Sequence, residues 1–411
     1  MNSRLRAAAL CAFVATYGAG AVGQPSQKDD GQHRVTYGQV LELAARVSPG
    51  GLVARAEEAV VGSEVRIAGM YPNPTLVGGT STQAARVSLG VSVPLNVMGQ
   101  RGAAIRASQA EVAVARVSTR VTQAEVRAAA AHAFVGLWLA ERTASARADA
   151  ESLVVRVDQA VSARVEVGGV PEVEAIRSRA LRLRAHADAV EAAQLVAAAA
   201  ADLGRWIGLA DASQMRPGGD PAVPEQAPAL RNLLEQVENS PSVVREQAGA
   251  RAALARADRE RTLARPTLAL EVGVDAMDPT LPGTNYRAQV GVELPLVNQR
   301  GGYVEREERS ATASELRARY QASALHADLV VAYRTFEAAT ARRDTLEQAG
   351  VPAARAAARA TEESYSLGRA SLEAVLESSR SLLDIELALI EARAARANAW
   401  IDVERALGVV G

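Results

Sequence analysis

His33, His132, His186 and His326, a single cysteine, and several glycine pairs are the residues of this 411-residue chain whose types invite a chemical reading. The histidines are scattered, without the short spacings that turn two ligands toward one metal ion, and each reads as a helix-face or tail residue. Gly78-Gly79, Gly168-Gly169 and Gly301-Gly302 lack the Lys-Ser/Thr follower of a loop that cradles phosphate. No Ser or Cys stands beside a His in a nucleophile motif. These observations point away from an enzyme and call for no metal and no cofactor. One polar group has a spacing with physical consequences. After the turn Leu367-Gly368-Arg369, Glu373 and Glu377 lie one helical turn apart on a shared face, with Tyr365 just before the turn. Such a group can do electrostatic work at a helix end, or be a solvated face with a capped start; the residue types leave both open.

The elements that would position this group are long helices. Aromatics make up 3% of the chain, and Ala, Val, Leu, Arg and Glu dominate, the composition of helices packed on one another. A formal net charge of −1 marks no nucleic-acid binder. At the N-terminus, Arg4 and Arg6 precede an apolar run from Ala7 to about Ala21, with small residues at Ala21 and Gly23, which predicts an export signal over 1–23. That run is shorter than the ~20 apolar residues of a spanning helix. Cys11 lies inside it behind Leu10, where a lipoprotein signal wants a small residue, and reads as part of the signal.

An internal repeat organises the rest. Gln100-Arg101-Gly102 matches Gln299-Arg300-Gly301 at an offset of 199 residues, and the same offset carries Ala133-Phe134 onto Ala332-Tyr333. Upstream, Ser48-Pro49 pairs with Ser240-Pro241, and Asn73-Pro74-Thr75-Leu76 with Arg265-Pro266-Thr267-Leu268, at an offset of 192. The predicted units are a first repeat over 24–215, a Pro/Gly-rich linker over 216–228 and a second repeat over 229–411.

Each repeat begins with a helix, Tyr37 to Met70 or Ala229 to Ala264, interrupted or kinked at Pro49 and Pro241. Alternating stretches follow. Val87, Leu89, Val91, Val93 and Leu95 oppose Arg86, Ser88, Gly90 and Ser92. In the second repeat, two runs from Thr267 to Met277 and from Asn285 to Leu296 alternate the same way, giving predicted hairpins at about 74–95 and 266–296. Strands of about ten residues have the length to cross a bilayer when tilted. Two hairpins cannot close a membrane barrel alone, since eight strands is the smallest number, so strands in lipid require several chains. Long helices come next, Gly102 to Val165 and Gly302 to Leu367, each with a shorter partner, Pro171 to Gly208 and Ser371 to Gly408. The fold class is mainly α with a small β part.

This duplicated plan resembles the TolC-like outer-membrane efflux and secretion family. The matching residues are the strand-ending Pro94 and Pro295, the helix entries at Gly102 and Gly301, and the C-terminal segment Tyr365 to Gly408. More narrowly, "LPLVNQRGGYVEREE" is similar to the heavy-metal-efflux branch. The resemblance implies a homotrimer whose chains each give four strands to a twelve-stranded barrel in outer-membrane lipid and continue as a helical tunnel through the periplasm. It also implies an adaptor protein and an inner-membrane pump as partners, with no nucleic acid, and metal cations as cargo.

In that family, charged residues after the second-repeat turn constrict the inner end of the tunnel. The resemblance carries this role onto Tyr365, Arg369, Glu373 and Glu377; the family's usual arginine and one of its acids fall here at Ala370 and Ala374. Drug efflux and protein secretion stay open beside metal efflux. So does a different class, an exported coiled-coil adaptor or scaffold, although such a protein has no use for duplicated amphipathic hairpins.

Overall fold

The computed structural model describes residues 33–81, 87–277 and 283–410; the expected signal segment lies outside them. The chain opens with a short strand β1 (His33–Val35), then α1 (Tyr37–Val47) and α2 (Pro49–Ala68). Thr36 and Gln39 close a capping box at the start of α1. The break between α1 and α2 is a Ser-Pro device: Ser48 is extended, as a residue before proline prefers, and its hydroxyl accepts the Gly51 N–H at 3.1 Å. Strands β2 (Thr75–Gly79) and β3 (Val87–Leu95) lead into α3 (Gln100–Glu166), which pairs with α4 (Glu172–Ile207). At 1.5 Å per residue, the 67 residues of α3 reach about 100 Å.

The second half repeats the order. After β4 (Met215–Pro217), which pairs in parallel with β1, come α5 (Leu230–Leu234), a 3-10 turn at Val237–Asn239 and α6 (Pro241–Leu263). The helix expected from Ala229 with a break at Pro241 does break there, and the part before it is reduced to two short turns; Ser240, extended before Pro241, starts α6 by accepting the Val243 N–H. Strands β5 (Thr267–Ala276) and β6 (Asn285–Glu293) precede α7 (Gly301–Thr345), α8 (Val351–Ser366) and α9 (Leu372–Leu407).

The expected single helix over 302–367 is divided. A π-helical turn, Leu346–Gly350, separates α7 from α8. Pro352, two residues past that turn, has no N–H to give it, so the helix widens there without ending.

Two buried clusters anchor the middle of the long helices. The first joins Tyr37, Phe134, Leu137, Trp138, Leu203 and Ile401; the second joins Val243, Leu329, Tyr333, Phe336, Trp400 and Val403. Around them, alanines such as Ala130, Ala131, Ala253 and Ala397 are almost fully buried, because a methyl side chain lets helix axes approach closely.

Candidate functional site

The two hairpins form one antiparallel four-stranded sheet, in the order β2-β3-β5-β6. Its register decides which residues share a face. Leu76 faces Val91, Val91 faces Val272, and Val272 faces Ala288; likewise Leu89, Val274 and Tyr286 form a row, as do Leu95, Leu268 and Val292. The large apolar residues of β3, β5 and β6 therefore fall on one side, while Val77 of β2 and Ala269 of β5 lie on the other. The first side is exposed: Leu76 is 69% accessible, Val290 64% and Tyr286 88%. The opposite face carries Thr75, Ser88, Ser92, Thr267, Glu271, Asp275, Arg287, Gln289 and Glu293. Among the described residues neither β2 nor β6 has a second strand partner, so both sheet edges are open there.

The passage from sheet to helix differs slightly from expectation. Strand β3 runs one residue past Pro94, which lies beyond the last β2 partner, Ser92; a residue without an N–H is tolerated where one neighbour is missing. Helix α3 starts at Gln100, two residues before Gly102, because Gly99 takes the left-handed conformation (φ 90°) that turns the chain. Pro295 follows the end of β6, and Gly301 is the first residue of α7. There the turning residue is Arg300, at φ 57°, held by its Nε on Glu260 Oε2 at 2.8 Å and its N–H on Asn298 Oδ1 at 3.1 Å. At the first junction Gln100 Nε2 donates to the Pro266 carbonyl and Arg101 Nε to the Gly69 carbonyl, tying α3 to the segments entering the strands.

Below the junctions an ion-pair network crosses three helices. Arg256 on α6 reaches Glu307 on α7 at 2.7 Å and Glu111 on α3, and Arg306 also donates to Glu307. Burial raises the Glu307 carboxyl, and hydrogen bonds and charge from Arg256 and Arg306 outweigh it, so the group sits below the usual carboxylate range.

At the far end of the helices, two turns meet. The Arg164 guanidinium lies 4.5 Å over the Tyr365 ring, joining the end of α3 to the end of α8. Arg369, Glu373 and Glu377 are exposed on the second turn and the start of α9, where Ser371 accepts the Ala374 N–H; Glu377 stands 3.9 Å from Arg380. The four expected aperture residues thus occupy the end of α8, the turn after it and the start of α9. Arg164 was not legible as their neighbour, since nothing local links positions two hundred residues apart.

His132 faces Asn398 and Asp402 on α9, and His186 faces Glu151 on α3. Among the described residues, no three or more His, Cys, Asp or Glu side chains gather as a metal site, and no helix is long and apolar enough to cross a membrane.

The chain thus joins helices far longer than a globular domain to a sheet with one largely apolar and one polar face and, among the described residues, two open edges. Residues 233–409 match the model of the family described as outer membrane efflux protein. A membrane protein from Pseudomonas aeruginosa superposes with a TM-score of 0.75 at 15% identity, over 95% of this chain and 96% of that one. The outer membrane channel MtrE of Neisseria gonorrhoeae, in its open state, gives 0.70 at 18% identity, over 91% and 89%. In sequence, the chain is 24% identical to the cobalt-zinc-cadmium resistance protein CzcC of Cupriavidus metallidurans over 346 residues, 82% of each. The second half of the chain thus matches the outer membrane efflux protein family, and the whole chain has the fold of the superposed structures.

Proposed function

We propose that this chain is one third of a passive exit duct in the outer membrane, receiving metal cations from an inner-membrane pump through a periplasmic adaptor. The sheet carries this reading: an apolar face toward lipid, a polar face toward water, and two open edges that three copies close into a twelve-stranded barrel. Unpaired edge groups in lipid cost several kcal/mol each, which makes closure obligatory. Family members work as trimers with an adaptor and a pump, and the duct itself performs no chemistry. The metal cargo rests on the CzcC likeness and on the "LPLVNQRGG" element. At the inner end, Tyr365, Arg369, Glu373 and Glu377 form the aperture, with Arg164 bracing it through Tyr365.

The first test is the protein mass of particles extracted from outer-membrane fractions in mild detergent. Three chains are expected, and a soluble monomer or dimer would return the chain to the coiled-coil scaffold. Restored zinc, cobalt and cadmium tolerance in cells lacking only this duct tests the cargo. Alanine at Arg369 and Glu377 should raise single-channel conductance; unchanged conductance removes the aperture role.

A further inference from the structure

The polar face of the sheet holds an arrangement that neither the aperture nor the barrel closure uses. In one row across the strands, Val77, Gly90, Gly273 and Arg287 are successive partners. The two glycines leave a trough, and Arg287 lies in it. One guanidinium nitrogen donates to Asp275 Oδ1 at 3.2 Å and the other to Glu271 Oε1 at 3.0 Å, while Gln289 Nε2 holds the second Glu271 oxygen at 2.9 Å. Long side chains on one open face of a single sheet ordinarily stand up into solvent. Here Arg287, Glu271 and Asp275 are only 34%, 16% and 20% exposed, with Gly90 and Gly273 buried beneath them. The trough has no room for a side chain: a Cβ on Gly273 would stand 2.7 Å from the Leu89 carbonyl oxygen, and one on Gly90 3.3 Å from Glu271 Oε1. Among the described strand residues, Arg287 is the one cation on this face, against Glu271, Asp275 and Glu293.

We propose that Arg287, laid flat in the Gly90–Gly273 trough, sets the charge of the barrel interior by offsetting half of the charge that Glu271 and Asp275 place there. This rests on the reading of the polar face as the barrel lumen. Three copies form a belt that lies low against the wall and draws cations only weakly. A duct must bind its cargo weakly enough to release it, and six bare carboxylates at the exit would hold a divalent ion.

The test measures the potential at the wall directly, so it does not depend on whether the aperture is open. A cysteine is placed at Ser92, on the polar face beside Glu271, and in a second variant at Val91, on the apolar face; the parent chain serves as the blank. Outer-membrane vesicles are treated with membrane-impermeant methanethiosulfonates, one cationic and one anionic. Ser92→Cys should react and Val91→Cys should be protected. Adding Arg287→Gln to Ser92→Cys should raise the cationic-to-anionic rate ratio on the order of tenfold, and Glu271→Gln with Asp275→Asn should lower it by a similar factor. Equal ratios in all three backgrounds, with Val91→Cys still protected, would overturn the role of Arg287 while leaving the barrel standing. Equal reactivity of Ser92→Cys and Val91→Cys would instead show that the barrel reading has failed, and the lumen proposal with it.

Discussion

Helix α3 and its counterpart in the second repeat do the same job in different ways. The first runs unbroken for 67 residues; the second is α7, a π turn and α8. Both are followed by left-handed glycines and partner helices of 36 residues, α4 and α9. The difference teaches that the repeats are held in step at their ends and cores, where packing is specific, and tolerate a change of helix winding between these points. The π turn widens the helix ahead of α8, and Tyr365 at the end of α8 still meets Arg164.

The comparison can be broken at the cores. Phe134→Ala should cost about 3–5 kcal/mol, because a fully buried ring leaves a cavity that helices tied at both ends cannot close. Tyr333→Phe, at the equivalent place, should cost only about 1 kcal/mol, since it removes the hydroxyl that donates to the Pro228 carbonyl at 3.1 Å and keeps the ring. Chemical denaturation of the detergent-extracted protein measures both.

The next effect belongs to the second repeat. Glu307→Gln should cost about 2 kcal/mol at neutral pH by weakening charge-assisted bonds from Arg256 and Arg306. Because the carboxyl's folded pKa is depressed, its contribution is complete above the ordinary unfolded value of about 4.3 and is lost as pH falls through the lower folded value. The gap between wild type and variant should therefore hold steady near neutrality and close below about pH 4.

A smaller change sharpens the comparison. Pro352→Ala restores the missing N–H and should yield a continuous helix, read as amide exchange protection across the turn rising to that of α3, with a stability change within about 1 kcal/mol. At the tip, Arg164→Ala should cost about 0.5–1 kcal/mol and loosen the aperture, while Tyr365→Phe, which keeps the ring under the guanidinium, should behave like wild type.

Much of the architecture is legible in local patterns. Ser-Pro pairs mark where α2 and α6 start, and alternation in the strand runs identifies their apolar positions. The proposed aperture group is visible in the sequence as a turn with a charged helix start. Other features escaped because their causes are distant in the chain. Pro94 reads as the end of a strand until the neighbour missing at its side is known. The guanidinium that braces Tyr365 comes from the other repeat. Gly90 and Gly273 look like weak points in two strands until pairing sets them side by side.

By itself, the sequence determined element types and faces, because periods of two and 3.6, proline and left-handed glycine act over a few residues. Only the tertiary structure decided which faces and turns meet: that two hairpins make one sheet, that Arg287 lies across a glycine trough, and that Tyr365, beyond the π turn, meets Arg164. Those outcomes depend on register between segments far apart in the chain, and register is settled by packing and hydrogen bonding between strands and helices, which no local stretch of residues contains.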